Sequence, residues 1–389
     1  MSDEVRTPSR RGLIEFGSAV ALAASAGMAL PSSSAAAPTG GEKFGPLGEF
    51  KYRLDSSKGW EGPAGSAKEV TVLQLPVANS IAGVSMRLTA GGMRELHWHS
   101  IAAEWAYMVE GRCRITVLAP NGQAEVVDFK KGDIWFFPKG HPHSLQGLGP
   151  GECHFVLAFD DGNFSEFGTF SITDWLAQTP TDVLAQNMKL SPAQLGQLPK
   201  KELYIVQGKV PPQDIPKLRN PDGEENQSSH KYKLADHPAF RFEGGEERIV
   251  TAKEFPIQTS FTSALLRLDP GGLRELHWHP NADEWAFVLE GTAEVGIFGG
   301  HGRFRKDDFE RGNVWFIQQG FGHYIKNTGN TDLRVVVVFS NPEYLQISLS
   351  SWLGNNPAHL LADNFQLSEE VVKQLPKDFI GIAGKKGSD

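Results

Sequence analysis

Cysteine is nearly missing from this sequence, with only Cys113 and Cys153 among 389 residues. A disulfide framework is therefore excluded as the source of stability, and the fold must rest on a buried core. Both cysteines read as small buried apolar residues, and whether they pair is left open. Positive charge is also short, with 38 Lys and Arg against 46 Asp and Glu, a formal net charge of -8. That balance argues against a nucleic-acid partner, because counterion release needs basic residues clustered on one face. It points to a small-molecule ligand. An acidic one is still allowed, since a metal and one well-placed arginine can bind an anion within an acidic protein.

Long apolar runs are scarce as well. The run Phe16 to Leu30 follows Ser9-Arg10-Arg11-Gly12-Leu13-Ile14, is short for a membrane span, and reads as the core of a twin-arginine-type export signal. Residues 1–40 are accordingly expected to be signal and linker, with cleavage after Ala37. The mature protein is expected to be periplasmic or secreted and to keep no stable membrane anchor.

Glycine (42) and proline (24) are plentiful, and they punctuate short apolar segments such as Val70 to Leu75, Gly83 to Thr89 and Arg114 to Leu118. This is the pattern of a closed antiparallel sandwich or barrel. The length suggests two cores, and the sequence repeats itself once. Gly91-Gly92-Met93-Arg94-Glu95-Leu96-His97-Trp98-His99 returns as Gly271-Gly272-Leu273-Arg274-Glu275-Leu276-His277-Trp278-His279, an offset of 180 positions (277 minus 97). Further on, Leu198-Pro199-Lys200 recurs as Leu375-Pro376-Lys377 at an offset of 177 (375 minus 198), so the second copy has lost three residues between Phe339 and Trp352. The expected units are residues 50–210, a polar linker at 211–231, and residues 232–384. Short helices should follow each barrel near Ile172 to Leu176, Val183 to Met188 and Pro192 to Leu195, with Ser191 as an N-cap and Pro192 at the first helical position.

The repeat carries metal-ligand chemistry. His97 and His99 are two apart, so on a strand both imidazoles leave one face. Glu104 follows after a turn, and His143 arrives from a separate glycine- and proline-shaped segment. The second copy offers His277, His279, Glu284 and His323 at the same spacings. Three nitrogens and one carboxylate leave positions open on an octahedral ion, which suits manganese or iron better than a closed zinc site. His141 reads as a rim residue of the first site, and His154, His230, His237, His301 and His359 as structural or exposed.

The segments Gly91 to Gly111 and Gly132 to His143, with their repeats Gly271 to Gly291 and Gly312 to Asn327, resemble the two motifs of the cupin superfamily. Their duplication resembles the bicupin oxalate decarboxylases. The resemblance spans about Phe50 to Lys377, with Gly147 standing where the second copy has Asn327, and Gln318 where the first has Pro138. It implies an all-β chain of two tandem cupin barrels (double-stranded β-helix, or jelly roll), each followed by small helices, and a homo-oligomer. It also implies conversion of oxalate to formate and carbon dioxide, with two manganese ions per chain and dioxygen as cofactors. Loading in the cytoplasm before export of the folded protein would protect a metal as weakly competing as manganese.

Arg94, three residues before His97, and its counterpart Arg274 read as guanidinium clamps for a bound carboxylate. The loop Phe159 to Phe170 reads as a lid. Where the family's lid is Ser-Glu-Asn-Ser-Thr, this chain matches at Ser165, Glu166 and Thr169 and departs at Phe167 and Gly168, so Glu166 is implied to move the proton. The second copy has no acid aligned with Glu166, and Val337 stands where the family often has another glutamate. Chemistry is thus expected mainly at the first site. An oxalate oxidase giving carbon dioxide and hydrogen peroxide, and a non-enzymatic metal-binding bicupin, are the alternatives.

Overall fold

The computed structural model describes residues 44–215, 218 and 230–385. The expected export signal and most of the 211–231 linker lie outside them. Two barrels are present, each made of a seven-stranded and a six-stranded antiparallel sheet. In the first barrel, Glu104–Glu110 lies between Ile134–Phe137 and Cys153–Phe159 in one sheet. Gly92–Trp98 lies against His143–Gly147, Phe170–Ser171 and Ile205–Gln207 in the other. Alternation along these strands and their neighbours Ala82–Leu88, Arg112–Leu118 and Ala124–Lys130 sends Met86, Met108, Ile115, Phe129, Trp135 and Phe155 into one core between the sheets; burying each such side chain is worth about 1.5–3 kcal/mol. The second barrel repeats the plan around Leu266, Val288, Val295, Phe309 and Trp315.

Short helices follow each barrel as Ile172–Gln178, Thr181–Met188 and Pro192–Leu195, then Leu349–Gly354, Ala358–Phe365 and Glu369–Val372. Ser191 caps Pro192–Leu195 in a reciprocal box with Gln194, which satisfies the otherwise unpaired first-turn amides. Among the described residues no helix is long and apolar enough to cross a membrane.

The boundaries drawn from the sequence are crossed by two short strands. Lys51–Tyr52 pairs with Val314 and Trp315 of the second barrel, and Lys231–Tyr232 pairs with Ile134 and Trp135 of the first. The barrels therefore complete each other's sheets. They also share a third apolar cluster containing Trp105, Phe136, Phe261, Trp285 and Phe316, and Trp105 Nε1 donates across it to Ser263 Oγ at 2.8 Å.

Candidate metal centres

In the first barrel, His97, His99, Glu104 and His143 each turn a ligand atom to one point, all within 4.8 Å of one another, and all four are buried. His97 and His143 face each other across adjacent strands. Arg94 is three residues from His97, an odd spacing that would set the two on opposite faces of a regular strand. A bulge between the His143 and Leu145 pairings resolves this and turns both inward. The ring nitrogens away from the cluster are tied down: His97 Nδ1 donates to the Glu95 carbonyl at 2.6 Å, and His143 Nδ1 to the His141 carbonyl at 2.8 Å. Trp135 Nε1 donates to Glu104 Oε1 at 2.7 Å and aims the other carboxylate oxygen inward. Glu104 Oε2 lies 3.4 Å from His143 Nε2 and 3.6 Å from His99 Nδ1.

The second barrel brings His277, His279, Glu284 and His323 together with the same convergence. His277, His279 and His323 donate through Nδ1 to the carbonyls of Glu275, Leu345 and Phe321 at 2.7, 2.8 and 2.9 Å. Trp315 Nε1 holds Glu284 Oε1 at 2.7 Å.

This donor set fits a divalent cation. The Nε2 atoms of His99, His143, His279 and His323 are buried without a hydrogen-bond partner among the described residues, an arrangement that protein groups rarely leave uncompensated. Burial, reinforced by Arg94 and the neighbouring imidazoles, holds His97 well below the ordinary range. Burial and then His143 do the same for His99. Both rings are therefore neutral and able to offer a lone pair. Burial alone would raise the Glu284 carboxyl, but His323 and His279 outweigh it and hold the group below the usual carboxylate range.

Above the first cluster, Glu166 is buried on a short turn, Glu166–Gly168, capped by the Ser165 hydroxyl. Its Oε2 is 3.6 Å from His99 Nε2, and its Oε1 accepts from Arg94 Nε at 2.7 Å. Arg94 also donates to the Thr169 hydroxyl and, at 3.4 Å, to the Tyr204 carbonyl. Burial pushes the Glu166 carboxyl up to about 7, against the downward pull of Arg94. A cavity of about 180 Å³ reaches His99 between Ser100, Ile101 and the loop residues Asn163 to Phe170.

The second site lacks this superstructure. Glu104 and Glu284 pair with Phe159 and Phe339, an offset of 180 (339 minus 159). Trp98 and Trp278 pair with Phe170 and Ile347, an offset of 177 (347 minus 170). The three missing residues therefore fall within the interval that holds the Glu166 turn. Arg274 is buried and engaged by the Gly381 carbonyl at 3.2 Å, the Tyr344 hydroxyl at 3.3 Å and the Gln346 side chain. Val337 pairs with Ala264 and Ala286 in the core.

The sequence reading did not single out four groups that the structure brings to the sites. Trp135 and Trp315 orient the carboxylate ligands, and their recurrence at the 180 offset is the signal that could have found them. Glu247 lies 3.7 Å from Arg274, and Tyr204 stacks under Arg94 with the guanidinium carbon 4.3 Å from its ring centre. Neither has a counterpart of its own type in the other copy. His154, by contrast, lies away from both centres beside Ser85 and Asp55, and His230 contacts His141 and Glu125.

The family model described as Cupin matches residues 54–195 and 232–373. An oxalate decarboxylase of Bacillus subtilis is 36% identical over 347 residues, covering 88% of this chain and 89% of that protein. A probable oxalate decarboxylase of Arthroderma benhamiae is 33% identical over 353 residues, covering 90% and 86%. A solved structure of the Bacillus subtilis enzyme, from work on its Mn(II) centres, superposes with a TM-score of 0.83 at 36% identity and covers 88% of this chain and 90% of that one.

Proposed function

From the premise that this chain belongs to the cupin family, in its two-barrel oxalate decarboxylase branch, we propose that it is a manganese-dependent oxalate decarboxylase using dioxygen, with turnover at the first site. The observation that carries the proposal is the buried acid Glu166, held by Arg94 at 2.7 Å and 3.6 Å from a ligand imidazole. Hydrogen oxalate yields one carbon dioxide and one formate, so a proton taken from oxygen must be returned to carbon. A carboxyl raised to about 7 binds a proton taken from hydrogen oxalate and can return it to carbon. Arg94 presents a planar fork of donors to a carboxylate. The loop that carries Glu166 covers the ligand cluster and limits the approach of water to the narrow cavity at His99.

His97, His99, Glu104 and His143 would hold manganese, as would the second set, and the Mn(II) centres of the Bacillus subtilis relative support that choice of metal. When bound, the ion together with dioxygen supplies the one-electron chemistry that loosens the carbon–carbon bond. In the second site the loop acid, Glu343, is exposed rather than buried over the ligands, and this together with the apolar Val337 supports a mainly structural metal. Export through the N-terminal segment and homo-oligomerisation belong to the same reading; Trp175 and Trp352, 60% and 57% exposed on the outer helices, support the latter.

The test is to purify the mature protein, count its metals and assay products from oxalate at acid pH under air. The proposal expects two manganese per chain and formate equal to oxalate consumed. Two carbon dioxide and one hydrogen peroxide per oxalate would make it an oxidase, and no consumption would leave a metal-binding bicupin.

A further inference from the structure

The loop that carries Glu166 is gripped from two sides by residues that the reaction does not itself require. Glu69, half-buried on the strand Gly65–Val70, accepts hydrogen bonds from the Ser165 hydroxyl at 2.9 and 3.1 Å and from the Glu166 amide at 3.0 Å. On the other side Tyr204 is buried with its ring under the Arg94 guanidinium and 5.6 Å, centre to centre, from the ring of Phe167.

The second barrel supplies an internal control. Glu69 pairs with Val84 and Ile249 with Ala264, while Ile205 pairs with Arg94 and Ile382 with Arg274. Register thus equates Glu69 with Ile249 and Tyr204 with Gly381. The backbone does the same work at both latter positions. Each amide donates to a glutamate, Glu95 or Glu275, at 2.7 Å, and each carbonyl accepts from the arginine, at 3.4 and 3.2 Å. Both residues are left-handed, with φ of 63° at Tyr204 and 66° at Gly381, a region in which glycine is at ease and a side chain is not. The second barrel meets the requirement with glycine, whereas the first holds a tyrosine there against local preference, and strain of that kind persists where the side chain has a use. Both exchanges occur in the copy whose loop buries its acid, Glu166, whereas Glu343 in the other loop is exposed.

We infer that Glu69 and Tyr204 latch the 163–170 loop shut, Glu69 by holding its backbone and Tyr204 by stacking on Arg94 and packing against Phe167. Both are then positioning residues for Glu166. The consequence for products rests on the proposed role of Glu166; the latch itself is a statement about conformation.

The experiment is hydrogen–deuterium exchange on the manganese-loaded full chain, following the peptide that covers residues 163–170, with metals counted and formate and peroxide measured in parallel. A hydrogen bond to a charged group is strong enough that Glu69→Ala should speed exchange there by about tenfold or more. Peptides from the strand Glu104–Glu110 should be unaffected. Glu69→Gln, which still offers one acceptor oxygen, should recover part of the protection. Tyr204→Gly, the residue the other barrel carries in the same backbone conformation, should also loosen the loop. Tyr204→Phe should not, because the Tyr204 hydroxyl is buried without a hydrogen-bond partner among the described residues. The loosened variants should keep both metals, lower kcat more than they alter KM, and release more peroxide per oxalate. Unchanged exchange at 163–170 in both Glu69→Ala and Tyr204→Gly overturns the latch. If wild type makes no formate yet these variants still loosen the loop, the functional proposal falls and the latch stands.

Discussion

Arg94 Nε donates to Glu166 Oε1 at 2.7 Å with the two residues only 0% and 2% exposed. A pair this deep ties the two groups' properties together, because removing one leaves the other charge uncompensated.

Arg94→Lys should therefore be far from conservative. The lysine supplies a point charge where a planar fork now reaches Glu166, Thr169 and the Tyr204 carbonyl. With hydrogen bonds to charged groups worth about 1.5–3 kcal/mol each, kcat/KM for oxalate should fall by about 100-fold. Metal content should not change. Steady-state kinetics beside metal analysis checks this, and near-wild-type turnover would contradict it.

The raised carboxyl sets a pH dependence of stability in the metal-free protein. Burial lifts Glu166 from the ordinary 4.5 to about 7, so between those values the folded chain holds a proton that the unfolded chain has released. Stability is full below the lower value and is lost as pH rises through the upper one. Glu166→Gln has no such loss. Urea unfolding of chelator-treated proteins should show the variant gaining on wild type between pH 4.5 and pH 7, by on the order of 2–3 kcal/mol. A difference independent of pH would exclude the shift.

The two centres should respond differently to loss of their carboxylate. Glu104→Ala and Glu284→Ala are each expected to lower manganese from two to about one per chain. Only Glu104→Ala should abolish formate production, while Glu284→Ala should chiefly lower the melting temperature. Equal loss of turnover from both, with the fold intact, would count against a mainly structural second metal.

Trp135→Phe keeps an aromatic ring, smaller than the indole, and deletes the 2.7 Å bond to Glu104 Oε1. Partners that orient a metal ligand typically contribute 10–100-fold in affinity. Manganese should accordingly dissociate from the first site about that much more readily in chelator competition, with the second site, oriented by Trp315, unaffected.

How much of this was legible in the sequence depends on distance along the chain. The eight ligands stood out because a 180-residue offset repeats four ligand-type residues in register (277 minus 97), and the barrels followed from short punctuated segments. The inward turn of Arg94 depends on a bulge that sequence periodicity does not reveal. The exchanged strands Lys51–Tyr52 and Lys231–Tyr232 are two residues each, too short to carry any period. Glu69 acts on a loop 97 residues away and Tyr204 on an arginine 110 residues away; only folding joins them. The Glu166 loop was readable by resemblance, but its burial and its hold on Arg94 were not, since both are properties of the closed packing.

The most direct measurement is the product balance of Glu166→Gln carrying two manganese ions, compared with wild type under air. Wild type should return about one formate per oxalate. The variant should lose formate by about 100-fold or more, the range expected for a removed acid–base group, with residual oxalate going to carbon dioxide and peroxide. Formate at an undiminished rate from a fully metallated Glu166→Gln protein would contradict the account, because the proton would then reach carbon by a route that does not pass through this residue.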